Sequence, residues 1–321
     1  MGQEDSCALQ LADIVAAGAR IAAYVRRTPV LTSTTLDALL GCRVHFKCEN
    51  FQRAGAFKAR GAHNAVLQLS EERARRGVLT HSSGNHGAAL ALAARSRGIP
   101  AYVVMPNNAP QVKQEAVARY GARVQLCEPN LAARERAAAE LIGRTGAELV
   151  HPYDDLRVMA GQGTAALELI EQVPDLELVL CPVGGGGLLS GVAVATKALR
   201  PRARVIGAEP AQADDAYRSL RAGRLMPAGE PRTIADGLRG ALSERTFAVI
   251  RARADDILTV SEAGIVRAMR LVWEVLKIVI EPSSAVPVAL LLEHPKTAAG
   301  QHVGVILTGG NVDLENLPWR T

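Results

Sequence analysis

Apolar and polar positions along this chain change period repeatedly. Short runs rich in Val, Ile and Leu are followed by a turn signal and then by a stretch with helical spacing. The runs VHFKCE (44–49), GVLTH (77–81), AYVVMP (101–106), RVQLCE (123–128) and ELVHP (148–152) read as strands. So do LELVLCPV (176–183), RVIGAEP (204–210), DILTVS (256–261) and HVGVILTGG (302–310). Between them, HGAALALAARSRG (86–98), QVKQEAVARYG (111–121) and LAARERAAAELIGRTG (131–146) read as helices. They end at Gly98, Gly121 and Gly146, each suited to a left-handed C-cap. Alternation of this kind predicts an α/β fold with mostly parallel, doubly wound sheets and a ligand site at the carboxyl ends of the strands. No linker rich in Pro, Gly or Ser divides the chain. The compact strand–helix units of 78–153 instead predict a small domain inserted into a larger one built from 1–77 and 154–321.

At 321 residues, with 48% hydrophobic and 21% charged positions, the chain is long and apolar enough for a substantial core, which excludes a disordered or collagen-like class. The net charge of +5 comes from scattered arginines with few aromatics among them, a solvated basic surface rather than a nucleic-acid interface. Cys7, Cys42, Cys48, Cys127 and Cys181 are odd in number and lack a Cys-x-x-Cys pair, which points to free thiols in a reducing compartment and away from structural zinc. The opening MGQEDSCALQ has no signal-peptide pattern. The uncharged run Leu178 to Thr196 is long enough to span a bilayer but contains Pro182 and four consecutive glycines. A cytoplasmic protein without membrane or nucleic-acid partners is expected.

Four segments concentrate chemistry at strand ends or helix starts. In Gly184-Gly185-Gly186-Gly187 the backbone N–H groups are free to turn toward an anion, and the helix that follows adds positive potential, so a phosphate is the natural guest. No Gly-Lys-Ser/Thr follows and the spacing is not GxGxxG; a ligand-free turn is the plain alternative. His81-Ser82-Ser83-Gly84-Asn85-His86-Gly87 gathers donors for a carboxylate or phenolate, of which helix capping explains only one residue. In Gly55-Ala56-Phe57-Lys58, Lys58 is a nucleophilic amine if an apolar pocket lowers its pKa, and a solvated lysine otherwise. Thr308-Gly309-Gly310-Asn311 allows close backbone approach beside a neutral hydroxyl, and alone reads as a turn. Together they imply a phosphate-bearing ligand in a cleft. A nucleotide-binding oxidoreductase would need a ribose-binding acid, and none stands between Leu188 and Arg204; a non-enzymatic binding module would not require Lys58.

The order and spacing of ENFQRAGAFKARGA, SSGNHG, AGQGTAALE, PVGGGGLLSG, AEPAQADD, TIADGL and TGGNVDL resemble the fold-type II pyridoxal-phosphate enzymes, in the branch of serine racemases and serine–threonine dehydratases. SSGNHG stands where cysteine synthases carry TSGNTG. The resemblance runs from 28 to 314 and implies a tryptophan-synthase-β-like fold: two doubly wound α/β domains, the smaller one mobile, with the active site in the cleft between them, assembled as a homodimer. It makes Lys58 the Schiff-base lysine and Phe57 its neighbour on the cofactor ring. It places Asn85 on the ring hydroxyl, Gly184 to Gly187 with the Leu188 N–H on the phosphate, and Thr308 opposite the pyridine nitrogen. A neutral hydroxyl there leaves the ring a weaker electron sink, which suits β-elimination.

The activity so implied is α,β-elimination from L-serine or L-threonine to a 2-oxo acid and ammonia, with Lys58 taking the Cα proton and the β-hydroxyl leaving as water. Ser83 matches the acid/base on the opposite face; a proton returned from it before water departs would give the D-amino acid. The alternatives within the branch are a primary serine racemase and a 3-hydroxyaspartate or phenylserine dehydratase, for which Arg134 or Arg239 would face the extra carboxylate. Ser82, Ser83, Asn85, His86 and Arg134 are the implied substrate contacts. Glu209, the Ala213 carbonyl and Asp215 match a divalent-cation site for Mg2+, Ca2+ or Mn2+. The chain departs from the family at Ala56, where Ser is usual, and at Gly240, where the racemase has a serine. Arg53-Ala54 and Ala88 replace nucleotide-contacting polar residues, so activation by ATP is not expected although Tyr120 matches another contact. Without room for a C-terminal regulatory domain, feedback by isoleucine is not expected either.

Overall fold

A computed structural model describes residues 9–82, 84–109 and 111–319. Among these residues ten strands form two sheets. β1 (Val30–Leu31), β2 (Arg43–Cys48), β7 (Leu178–Pro182), β8 (Arg204–Pro210), β9 (Asp256–Val260) and β10 (His302–Leu307) make a six-stranded sheet in the order β1-β2-β10-β7-β8-β9. β3 (Val78–His81), β4 (Ala101–Pro106), β5 (Arg123–Cys127) and β6 (Glu148–Leu149) make a four-stranded sheet in the order β5-β4-β3-β6. Every pairing is parallel except that of β1 with β2. The helices are α1 (Leu11–Ile21), α2 (Thr34–Leu40), α3 (Lys58–Leu67), α4 (Glu71–Arg76), α5 (Asn85–Arg97), α6 (Gln111–Arg119) and α7 (Leu131–Thr145). They continue with α8 (Leu156–Gln172), α9 (Gly187–Leu199), α10 (Asp215–Ala222), α11 (Glu244–Arg253), α12 (Glu262–Leu276) and α13 (Pro282–Glu293).

Both faces of the large sheet are covered, which is why its strands read as unbroken apolar runs. Leu178, Leu180, Val303 and Val305 point to one face and pack on Ile265 and Met269 of α12 and Val288 of α13. The intervening Val179, Cys181 and Val205 point to the other and pack on Ile14 of α1, Leu169 of α8 and Val192 of α9. The expected C-caps hold: Gly98, Gly121 and Gly146 have φ of 68°, 87° and 67°. Several strands are shorter than the pattern suggested, LELVLCPV for one pairing only over β7, and two of them stop for a visible reason. ELVHP pairs only over β6, because the chain then turns through Pro152; HVGVILTGG leaves the ladder after Leu307, where Thr308 and Gly309 bond instead to Phe57 and Ala56. The uncharged run Leu178 to Thr196 is divided among β7, the glycine turn and α9. Among the described residues no helix is long and apolar enough to cross a membrane. Cys42, Cys48, Cys127 and Cys181 are free thiols, and Cys7 lies outside the described residues.

The AGQGT run is a helix-crossing device. A Cβ on Gly161 of α8 would stand 2.7 Å from the Arg60 carbonyl of α3, and one on Gly61 would stand 2.7 Å from the Val158 carbonyl. Only glycines let these backbones meet. Beside the crossing, Arg60 is buried and bidentate to Glu49 (Nε–Oε2 and Nη2–Oε1, both 2.7 Å), and it also reaches Glu168 (Nη1–Oε1, 2.7 Å). Lys47 binds Glu168 at 2.6 Å, Gln172 at 2.8 Å and the Thr28 carbonyl at 2.8 Å. Two cations thus face two carboxylates with their hydrogen bonds satisfied, the condition under which buried charge is tolerated. The network fixes the first turn of α3, the turn that carries Lys58.

Candidate active site

In the large sheet the strand order reverses between β10 and β7, and such a switch point opens a crevice at the strand carboxyl ends. The turn Gly184 to Gly187 closes β7 there, and Thr308 to Asn311 closes β10. Gly186 has φ 84°. A Cβ on Gly185 would strike the Tyr153 ring, and one on Gly187 would come within 2.9 Å of the Tyr153 Cα. Among the described residues no backbone carbonyl takes the N–H groups of Gly185, Gly186 or Gly187. These donors, at the start of α9 and on residues that carry no side chains, fit a phosphate.

Lys58 reaches this crevice because the chain before it is pinned to the TGGN segment. Ala54 (φ 56°) and Gly55 (φ 71°) turn the backbone, Gly310 N–H donates to the Gly55 carbonyl at 2.9 Å, and Phe57 N–H donates to the Thr308 carbonyl at 2.9 Å. α3 then begins at Lys58. Its Nζ donates to the Pro152 carbonyl at 2.7 Å and lies 5.1 Å from the centre of the Phe57 ring. Burial pushes the amine down to about 8 against the opposing pull of Glu281. Near neutrality a usable fraction of Lys58 is therefore the free base, as covalent capture of an aldehyde or removal of a proton requires.

Asn85, first residue of α5, is held at both ends: Nδ2 donates to Glu281 Oε1 at 2.8 Å, and Oδ1 accepts from Asn311 Nδ2 at 2.9 Å. This links the SSGNHG segment to the TGGN segment. Thr308 is buried, with its hydroxyl 3.0 Å from that of Ser284, which in turn donates to the Gly309 carbonyl and accepts from the Gly309 N–H, both at 2.7 Å. Phe57, Lys58, Asn85, the glycine turn with Leu188, and Thr308 thus surround one crevice, in an arrangement that fits a phosphorylated aromatic aldehyde.

The remaining expected residues are placed as follows. The Ser82 hydroxyl accepts from the Gly84 N–H at 3.4 Å, and Ser83 lies outside the described residues. His86 is buried with Nε2 against the Val150 carbonyl at 3.2 Å. Burial and Lys58 hold its pKa well below the ordinary value. The neutral ring therefore offers a lone pair at Nδ1, and its donor for a carboxylate is the backbone N–H in the first turn of α5. Arg134, on α7, acts electrostatically on His81 and Tyr153. Glu209 is buried, accepts from the Ala216 and Tyr217 N–H groups at 2.9 and 2.7 Å, and is pushed by burial up to about 8. Asp215 accepts from the Leu242 N–H at 3.1 Å. Among the described residues no three His, Cys, Asp or Glu side chains group as metal ligands; the expected set counts only two such side chains plus the Ala213 carbonyl.

Pattern reading missed Pro152, Glu281, Ser284, His151 and Tyr153. The first acts through a backbone carbonyl, Glu281 and Ser284 sit at the start of an otherwise apolar helix, His151 lies in a strand candidate that ends early, and Tyr153 follows just beyond it. HPYD, a polar cluster after a short apolar run, is the one signal that was present.

The family model "Pyridoxal-phosphate dependent enzyme" matches residues 21–309. A beta-hydroxyaspartate dehydratase from Paracoccus denitrificans is 52% identical over 308 residues, covering 96% of this chain and 98% of that protein. An L-threo-3-hydroxyaspartate ammonia-lyase from Saccharomyces cerevisiae is 45% identical, covering 94% and 93%. The crystal structure of a serine racemase from Dictyostelium discoideum superposes with a TM-score of 0.91 at 48% identity, covering 95% of this chain and 99% of that one. With the crevice, its lysine and its glycine cradle already in place, these matches settle the lineage: this chain belongs to the pyridoxal-phosphate dependent enzymes of fold type II.

Proposed function

We propose that this chain eliminates water from hydroxy-amino acids and that the resulting enamine is hydrolysed, with uptake of a water and release of ammonia, taking L-serine or L-threonine to the 2-oxo acid, with racemisation of serine as a competing fate of the same carbanion. The observation that carries the reading is Lys58, an amine whose pKa burial lowers and which Pro152 holds next to Tyr153 on the glycine turn, whose N–H groups take no backbone carbonyl among the described residues. The N–H groups of Gly184 to Leu188 hold the cofactor phosphate, Asn85 meets the ring hydroxyl, Phe57 flanks the ring and Thr308 faces the ring nitrogen. When bound, pyridoxal phosphate supplies the electron sink for a carbanion at Cα. Lys58 binds the cofactor and removes the Cα proton. Ser82, Asn85 and the His86 N–H at the start of α5 take the substrate carboxylate, and Ser83 serves the opposite face.

Residues 78–153 act as a small domain that moves against the remainder, and the Asn85–Asn311 and Asn85–Glu281 bonds are among the contacts that such motion would make and break. Glu209, the Ala213 carbonyl and Asp215 hold a divalent cation, and the working unit is a cytoplasmic homodimer. A second reading, dehydration of 3-hydroxyaspartate, is favoured by the two relatives named for that substrate and by Arg134 beside the site. One incubation with L-serine, cofactor and magnesium, assayed for pyruvate and D-serine, with L-threonine and 3-hydroxyaspartate in parallel, tests both. Release of 2-oxo acid, lost in Lys58→Ala, is expected; no product from any of the three overturns the reading.

A further inference from the structure

His151, between β6 and α8, has no role in the functional reading above, yet its ring is fixed more tightly than packing requires. Two backbone N–H groups converge on Nδ1: that of Asp154 at 2.8 Å and that of Tyr153 at 3.4 Å. An Nδ1 that accepts from two donors carries no proton, so the neutral ring holds its hydrogen at Nε2. The His81 ring stands edge-on at 5.3 Å between centres, and the Tyr153 ring edge-on at 4.6 Å. Burial first, then His81 and Lys58, oppose a second proton and bring the pKa down to about 4. Nε2 has no hydrogen-bond partner among the described residues, and it is not sealed from solvent as the orphaned His86 Nδ1 is. The ring is a neutral donor held in one tautomer.

Its place is set by its neighbours. Pro152, the next residue, holds the Lys58 amine through its carbonyl, and Tyr153 covers the glycine turn. In the elimination reading, on which this inference rests, the substrate amine goes to the cofactor and the carboxylate to the start of α5. The acceptor left over on a hydroxy-amino acid is the oxygen on its β-carbon. We infer that His151 is a specificity residue whose Nε2–H donates a hydrogen bond to that β-oxygen. The neutral imidazole is far too weak an acid to protonate the departing hydroxyl, so it orients the leaving group and the proton comes from elsewhere.

Two substitutions separate this role from a structural one. In His151→Asn the side-chain carbonyl still accepts from the residues two and three ahead, as in an Asx turn, but the distal donor is gone. In His151→Gln an amide N–H lies near the former Nε2 while the turn acceptor is displaced. The measurements are kcat and KM on the best hydroxy-amino acid, the inhibition constant of L-alanine, which lacks the β-oxygen, thermal midpoint and visible absorption of the bound cofactor. Expected for His151→Asn is a drop in kcat/KM of about fivefold to tenfold, the loss of one hydrogen bond, with L-alanine inhibition, midpoint and absorption unchanged and with His151→Gln keeping more activity than His151→Asn. Wild-type kcat/KM in His151→Asn, or an equal loss of L-alanine binding, overturns the inference, as does a Gln variant worse than the Asn variant. Absence of 2-oxo acid from the parent enzyme would instead sink the elimination reading, and the inference with it.

Discussion

Replacing Arg60 by Met tests whether the buried charge network holds the lysine-bearing helix. Arg60 has a fully buried side chain and makes two bonds to Glu49, whose side chain is 0% exposed, and others to Glu168, which is 15% exposed. Without Arg60, Glu168 keeps Lys47 and some water, whereas Glu49 keeps only the Thr28 hydroxyl at 2.6 Å. Most of the cost therefore falls on Glu49, a buried carboxylate without a countercharge. Breaking a buried pair in this way costs about 3–5 kcal/mol, a fall in Tm on the order of 10 °C. The double variant Arg60→Met with Glu49→Gln removes one charge of each sign and leaves Lys47 paired with Glu168. It is expected to recover at least about half of the loss, because the unpaired anion is gone. The assay is urea or thermal unfolding of the cofactor-loaded enzyme. A single variant within about 1 kcal/mol of the parent, or a double variant as unstable as the single, would refute the reasoning.

Four further outcomes are expected. Lys58 is depressed from 10.5 to about 8 by burial, so the folded apoprotein binds fewer protons than the unfolded chain between those values and gains stability as pH rises through that window; Lys58→Met should flatten this rise in pH-dependent unfolding. The same shift makes the rate of cofactor capture by apoprotein climb through pH 8, and a rate flat from pH 7 to 9 would contradict it. Gly185→Ala, whose Cβ meets the Tyr153 ring, should fold but retain cofactor at least about tenfold less well by equilibrium dialysis, the effect of a 1–3 kcal/mol overpacking strain. Ser284→Ala, which strips partners from Gly309 N–H, its carbonyl and the Thr308 hydroxyl, should lose about 1–3 kcal/mol in unfolding, together with a shift in the cofactor's visible absorption.

The parts of this enzyme legible in its sequence are those governed by local rules. Short runs rich in Val, Ile and Leu marked most strands of both sheets, glycine C-caps marked helix ends, and four glycines in a row marked the cradle. The two-residue β1 carries too little pattern to be seen. Glu281 and Ser284 could not be found by local rules, because each acquires its role through contact with distant segments: Glu281 with Asn85 across 196 residues, and Ser284 with Gly309 across 25. By local rules alone Lys58 could equally be a solvated lysine; the resemblance of the surrounding motifs marked it, and the fold lays the Pro152 carbonyl against its amine. The glycines of AGQGT mark a crossing of helix backbones, which nothing in their own neighbourhood announces.

The position of β10 has a consequence for how the chain is made. It is the last strand in chain order yet lies between β2 and β7, and its turn receives Asn311–Ala54 and Phe57–Thr308 bonds from segments some 250 residues earlier, the first of them 257 apart. During synthesis the four-stranded sheet can close as soon as β6 has emerged, while β2 and β7 wait with open edges facing one another. Closure of the large sheet is thus a late event with long loops to fasten, the kind of step that is slow and exposed to misassociation. A ribosome stalled before residue 302 would hold a chain whose small sheet is protected from proteolysis and whose lysine segment lacks its bonds to Thr308, Gly310 and Asn311. Cofactor capture should become possible only when β10 slots between its two neighbours, so that the last strand to arrive acts as the keystone of the site.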